Sequence, residues 1–228
     1  MIAVIGDIHG CFFTLEALVD KIRLKYPDIE IYCVGDLVDR GKNSFEAVKY
    51  LMDNKIKFTP GNHDYMFYYY IKEPNSLFAR TWLYNGNEAT LSSYLDHFDS
   101  VVKHVDFIKA APLYFNLEDC FISHAGVSEL YKKVLPANLR ENLGALDQLI
   151  YSEYESESGV LWTREKLLNM GKIQVVGHTK QDRVRFDNRS NALYIDTGAC
   201  MGNKLSAVVI HRNELLETIE EPTHFTDI

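Results

Sequence analysis

The chain has no uninterrupted apolar stretch near the ~18 residues of a membrane span, so no spanning helix is expected in its 228 residues. Its opening, MIAVIGDIHG, lacks a basic segment, a long apolar core and a small-residue cleavage site, so no export signal is read there. Basic charge is scarce. Lys and Arg total 24 against 32 Asp and Glu, the net charge is −8, and no three basic residues are consecutive. A general nucleic-acid or anionic-membrane binder would present a basic face, so neither partner is expected. Cysteine is sparse as well. Cys11, Cys33, Cys120 and Cys200 show no CxxC spacing. That argues against a Cys-based structural zinc site and reads as core thiols in a reducing, cytoplasmic compartment. No repeat of 20–50 residues is present.

What is present is enough apolar residue, 46%, for a substantial core in a single domain spanning 1–228. Ile2 to Ile5 reads as a strand. Phe12 to Lys25 carries apolar residues at helical spacing, and Ile31 to Val34 reads as a second strand. Ser44 looks like the N-cap of a helix through about Asp53, and Lys55 to Thr59 like a third strand. Residues 65–110, rich in aromatics, read as a helical insertion in which Tyr65 and Tyr68 to Tyr70 pack rather than bind. From Leu113 onward strands return: LYFNL, DCFIS, IQVV, NALYI and KLSAVVIH. The acidic stretch Tyr151 to Gly159 reads as a solvated loop, and the tail after Pro222 as frayed. The alternation predicts an α+β or α/β sheet fold flanked by helices, with function at the strand ends.

Those strand ends carry the chemistry. Three turns in the first 64 residues read GDIHG, GDLVDRG and PGNHD, and offer Asp7, His9, Asp36, Asp39, Arg40, Asn62, His63 and Asp64. Later turns add His124 in SHAG and His178 in VVGHT. One His after a strand is ordinarily a hydrogen-bonded structural residue. Five polar turns, each following a strand, call for a common purpose. Carboxylate, imidazole and amide oxygen suit a divalent metal with N/O ligands. His97, His104, His211 and His224 lie outside these motifs and read as surface or structural.

In this order, GDIHG, GDLVDRG, GNHD, HAG and GHT resemble the phosphoprotein phosphatase branch of the calcineurin-like metallophosphoesterases. The stretches WLYNGNEATLSSY, LWTR and IDTGA add likeness to lambda-phage-type bacterial and phage serine/threonine phosphatases. The resemblance implies two mixed β-sheets sandwiched between helices, in four layers, with metals at the strand ends. It also implies metal-dependent phosphomonoester hydrolysis of phosphorylated protein or a small phosphoester. Phosphoserine and phosphothreonine are the implied substrates, and phosphotyrosine stays open.

By the same resemblance, Asp7, His9 and His178 hold one metal, Asp36 bridges, and Asn62 and His124 complete the second. Arg40 and Arg164 grip phosphate, with Asn62 beside it, and His63 is the general acid oriented by Asp39. The expected cofactor is two divalent ions, manganese first, with iron, zinc and nickel compatible with the same ligands. Physical chemistry agrees. Two cations about 3.5–4 Å apart need a shared anionic ligand, and they bring the pKa of bound water toward ~7. The leaving alkoxide needs a proton, which a carboxylate-oriented imidazole supplies.

Two positions depart from the pattern. Protein phosphatases of this type read RGNHE, whereas this chain reads PGNHD, with Pro60 where a phosphate-binding arginine is usual. Asp64 is shared with symmetrical diadenosine tetraphosphatases, which keeps a nucleotide pyrophosphohydrolase as the alternative. Asp39 argues for the phosphatase. A metal-dependent nuclease would need basic tracks that the chain lacks, and a non-enzymatic binding module would have lost a ligand, whereas every expected ligand is present.

Overall fold

The computed structural model describes residues 1–135 and 143–228. β1 (Ile2–Ile5) is apolar throughout and buried on both faces. Ala3 and Ile5 join the core beneath the helices, while Ile2 and Val4 join the core between the sheets. That is the period-2 alternation of a strand covered on both sides. After β1 come α1 (Phe12–Lys25), β2 (Glu30–Cys33), α2 (Ser44–Asn54) and β3 (Lys57–Phe58). A run of helices follows: α3 (Asn62–Lys72), α4 (Leu77–Trp82), α5 (Asn87–Ser93), a 3-10 turn at Leu95–Ser100, and α6 (Val101–Ala110). The second half holds β4 (Tyr114–Asn116), β5 (Phe121–Ser123), α7 (Leu143–Glu153), β6 (Gln174–Val176), β7 (Arg185–Asp187), β8 (Ala192–Tyr194), β9 (Lys204–His211) and β10 (Glu214–Pro222).

The strands form two mixed five-stranded sheets, ordered β10-β9-β1-β2-β3 and β4-β5-β6-β8-β7. β1, β2 and β3 run parallel, as do β5, β6 and β8. Val4, Val34 and Val208 from the first sheet meet Ile122, Val175 and Leu193 from the second across the interior. The fold expected from the sequence is the one observed. The parallel strands of both sheets end toward the same region, and the polar turns meet there.

Several local expectations are corrected. Asn43 holds the N-cap position of α2, and Ser44 lies inside the helix. The Ser44 hydroxyl serves Asp39 instead, accepting from its N–H at 3.2 Å. β3 is only two residues long, because Lys55 closes α2 in the left-handed region, at φ 53°. β10 is a largely exposed edge strand whose glutamates hid its period, and polar β7 gave no apolar signal. The acidic stretch is not all loop. α7 runs through Glu153, and Glu155 accepts a hydrogen bond from the Tyr69 hydroxyl. The tail is ordered: Asp227 is fully buried. Its carboxylate accepts from Phe13 N at 3.1 Å, Thr14 N at 2.9 Å, Thr14 Oγ1 at 2.6 Å and Asn43 Nδ2 at 2.9 Å.

Candidate metal centre

His9, Asp36, Asp39, Arg40 and His178 all have positive φ, from 45° to 75°. L-residues avoid that region, so a cluster of such residues at strand ends marks strain held in place by its surroundings. The turns are also pressed together. A Cβ on Gly61 would sit 2.0 Å from Asp36 Oδ1, and one on Gly177 would sit 1.8 Å from Asp7 Oδ1. Both positions must be glycine for the carboxylates to enter.

The imidazoles of His9, His124 and His178 are each oriented by one backbone carbonyl. Nδ1 of His9 lies 2.9 Å from Val38 O, and Nδ1 of His124 lies 2.9 Å from Val34 O. Nε2 of His178 lies 3.1 Å from Trp162 O. These N–H donations fix the tautomers and leave Nε2 of His9, Nε2 of His124 and Nδ1 of His178 as lone pairs facing inward. Asp36 Oδ2 stands between two of them, 3.4 Å from His9 Nε2 and 3.5 Å from His124 Nε2. The donor atoms of His9, Asp36 and His63 lie within 4.8 Å of one another, as do those of Asp36, His124 and His178. Asp36 is common to both, which is what a bridging carboxylate requires.

Asn62 Oδ1 is 3.1 Å from His124 Nε2 and 2.9 Å from His178 Nδ1. His178 therefore shares its ring with Asn62 and His124, whereas the resemblance put it with Asp7 and His9. What reaches Asp7 is the backbone N–H of His178, donating to Oδ2 at 2.9 Å. Asp7 Oδ1 is buried with no hydrogen-bond partner among the described residues. A cation satisfies that oxygen, so the donor set fits divalent ions.

The electrostatics point the same way. Burial lowers the pKa of His9 and of His178 to about 3 and also lowers that of His124, so all three are neutral ligands near pH 7. Burial pushes Asp36 up, but the surrounding imidazoles, His124 first, hold it below the usual carboxylate range. Asp7 is raised well above that range by burial and by the nearby Asp196 and Asp36 carboxylates. Such a crowd of buried carboxylates is relieved by positive charge.

His63 Nδ1 lies 2.6 Å from Asp39 Oδ2. Arg40 spans the opening, with Nη1 2.8 Å from His9 Nε2 and Nη2 3.0 Å from His63 Nε2. Arg164 is exposed and donates to the His178 carbonyl at 3.4 Å. All ten residues named from the motifs thus converge on one region.

Sequence reasoning missed the support of Asp39. Its carboxylate accepts from Trp82 Nε1 at 2.7 Å and from Thr90 Oγ1 at 2.7 Å, both from the helical insertion. Both residues lie in WLYNGNEAT, which in the sequence carries family likeness alone. Asp64 is structural: its oxygens accept from Leu37 N and Gly61 N, each at 2.8 Å. It ties two of the turns together.

A model of the calcineurin-like phosphoesterases matches residues 1–208, so the chain belongs to that family. It is a hydrolase of phosphate esters, in a family that works with divalent metals. The chain is 28% identical over 246 residues to the asymmetrical bis(5'-nucleosyl)-tetraphosphatase PrpE of Bacillus cereus (strain B4264), covering 96% of this chain and 93% of that protein. A crystal structure of a candidate diadenosine tetraphosphatase superposes with a TM-score of 0.65 at 20% identity, covering 98% of this chain and 94% of the other. The cold-active protein-tyrosine phosphatase of a psychrophilic Shewanella species gives 0.62 at 16% identity, covering 98% and 80%. No helix among the described residues is long and apolar enough to cross a membrane.

Proposed function

We propose that the protein hydrolyses dinucleoside polyphosphates, cutting the phosphate chain asymmetrically at a dinuclear metal centre. The observation that carries this reading is the nearly full-length alignment with asymmetrical bis(5'-nucleosyl)-tetraphosphatases. Pro60, buried and uncharged where the phosphatase pattern has an arginine, accords with it. Asp7, His9 and Asp36 would hold one ion, and Asp36, Asn62, His124 and His178 the other; two divalent ions there would supply an activated water near neutral pH and offset phosphate charge. Arg40 and Arg164, both exposed, clamp phosphate oxygens on the open side. His63, fixed at Nδ1 by Asp39, carries a proton at Nε2 toward the leaving oxygen.

The Asp39–His63 pair favours a second reading, phosphoprotein phosphatase. A nucleotide leaving group is acidic and departs with little help, whereas a serine alkoxide needs a proton. The deciding experiment is a paired assay with Mn²⁺. One arm follows diadenosine tetraphosphate, separating ATP plus AMP from ADP. The other follows phosphate release from a phosphoserine peptide. Faster formation of ATP plus AMP is the expected result. Faster peptide turnover would replace it with the phosphatase reading.

A further inference from the structure

Beside the centre runs a groove of about 440 Å³ that the reaction scheme touches only at Arg164. That volume falls within the ~300–1,000 Å³ of small-molecule sites. Phe78 and Trp162 form one wall, their rings stacked at 5.5 Å and 25°. Leu77, Thr81 and the glutamates Glu155, Glu157 and Glu165 line the rest, and Arg164, bonded to the His178 carbonyl, links the groove to the metal ligands. Trp162 is tied to the centre through its own carbonyl, which orients the His178 ring.

We infer that this groove is a nucleobase subsite, taking an amino-bearing purine of the substrate. This rests on the dinucleotide reading above. Three carboxylates against one guanidinium make the groove net anionic, so a polyphosphate tail does not lie in it. What fits is a neutral, flat ring with donor N–H groups on its edge and an anionic chain at one end. The aromatic wall takes the ring face, the carboxylates accept from the exocyclic amine, and Arg164 takes the first phosphate. A basic peptide segment meets the carboxylates equally well, but it brings a cation against Arg164.

The test needs no turnover. Adenosine, which has no phosphate for the metals to hold, is titrated into the metal-loaded, indole-¹⁵N-labelled protein. Trp162 is the reporter and Trp82, fully buried against Asp39, is the internal control. The indole signal of Trp162 is expected to shift and saturate while that of Trp82 stays. In parallel, Trp162→Ala and Trp162→Phe are compared on diadenosine tetraphosphate and 4-nitrophenyl phosphate. Alanine is expected to lower kcat/KM roughly 5- to 100-fold more on the dinucleotide, the range of base–aromatic stacking, and phenylalanine to restore most of the difference. Adenosine leaving Trp162 unmoved, or equal losses on both substrates, would overturn the subsite. If adenosine binds but the paired assay shows only peptide turnover, the subsite stands and the dinucleotide reading fails.

Discussion

His63 shows how much depends on one contact. Its Nδ1 is committed to Asp39, so Nε2, which faces Arg40 Nη2 at 3.0 Å, is the nitrogen left to pass a proton to substrate. His63→Asn is expected to lose about 10²–10⁴-fold on alkyl phosphates, the usual worth of a general acid, and much less on 4-nitrophenyl phosphate. Equal losses across leaving groups would remove the acid role. Asp39 in turn is buried and held by Trp82 and Thr90. Trp82→Phe deletes one donor to a buried carboxylate, and about 1–3 kcal/mol of stability is expected to go with it, read by urea unfolding. If Trp82 works through the pair, adding Trp82→Phe to His63→Asn costs little further rate. Additive rate losses would separate Trp82 from the pair.

At the level of elements, strand-end turns were legible because each is a short polar motif following an apolar run. The fold, β1-α1-β2-α2-β3 and the later apolar strands β4, β5, β6, β8 and β9 were readable for the same reason. What failed to show was long-range. Trp82 and Thr90 reach Asp39 across 43 and 51 residues, and no local pattern encodes that. The partition of His178 was likewise invisible, since its ring and its backbone N–H serve different neighbours. The C-terminal turn is the clearest case. Polar composition suggested fraying, yet Asp227 caps α1 through Phe13 and Thr14, and its carbonyl accepts from Lys42 N at 2.9 Å. It therefore clasps the start of α1 to the residues that follow GDLVDRG. Asp227→Ala is expected to destabilise the protein by on the order of 3 kcal/mol, and Asp227→Asn by less, measured by denaturant unfolding. Unchanged stability in the alanine variant would show the clasp to be incidental.

For the whole molecule, a net charge of −8 surrounds a pocket of buried carboxylates, and cations resolve the conflict. The sign of the pH dependence follows. Asp7 has a raised folded pKa, so its favourable, protonated contribution to the metal-free fold is lost as pH rises from the ordinary carboxylate range through that raised value. A bound cation displaces that proton, so metal affinity increases with pH over the same window. His9 and His178, with pKa values of about 3, are already neutral above pH 5 and release no proton. Mn²⁺ is therefore expected to raise Tm more at pH 7.5 than at pH 5.5, by thermal unfolding at fixed Mn²⁺. A larger gain at the lower pH would contradict this electrostatic account.

The proposed centre depends on Asp36 joining two metal sites. Electron paramagnetic resonance of the Mn²⁺-titrated protein, read against bound metal per chain, reports on that junction. Two ions per chain with the signature of an exchange-coupled pair are expected, and at most an uncoupled ion in folded Asp36→Asn. A single uncoupled Mn²⁺ in the unaltered protein, or a coupled pair that survives in Asp36→Asn, would contradict it.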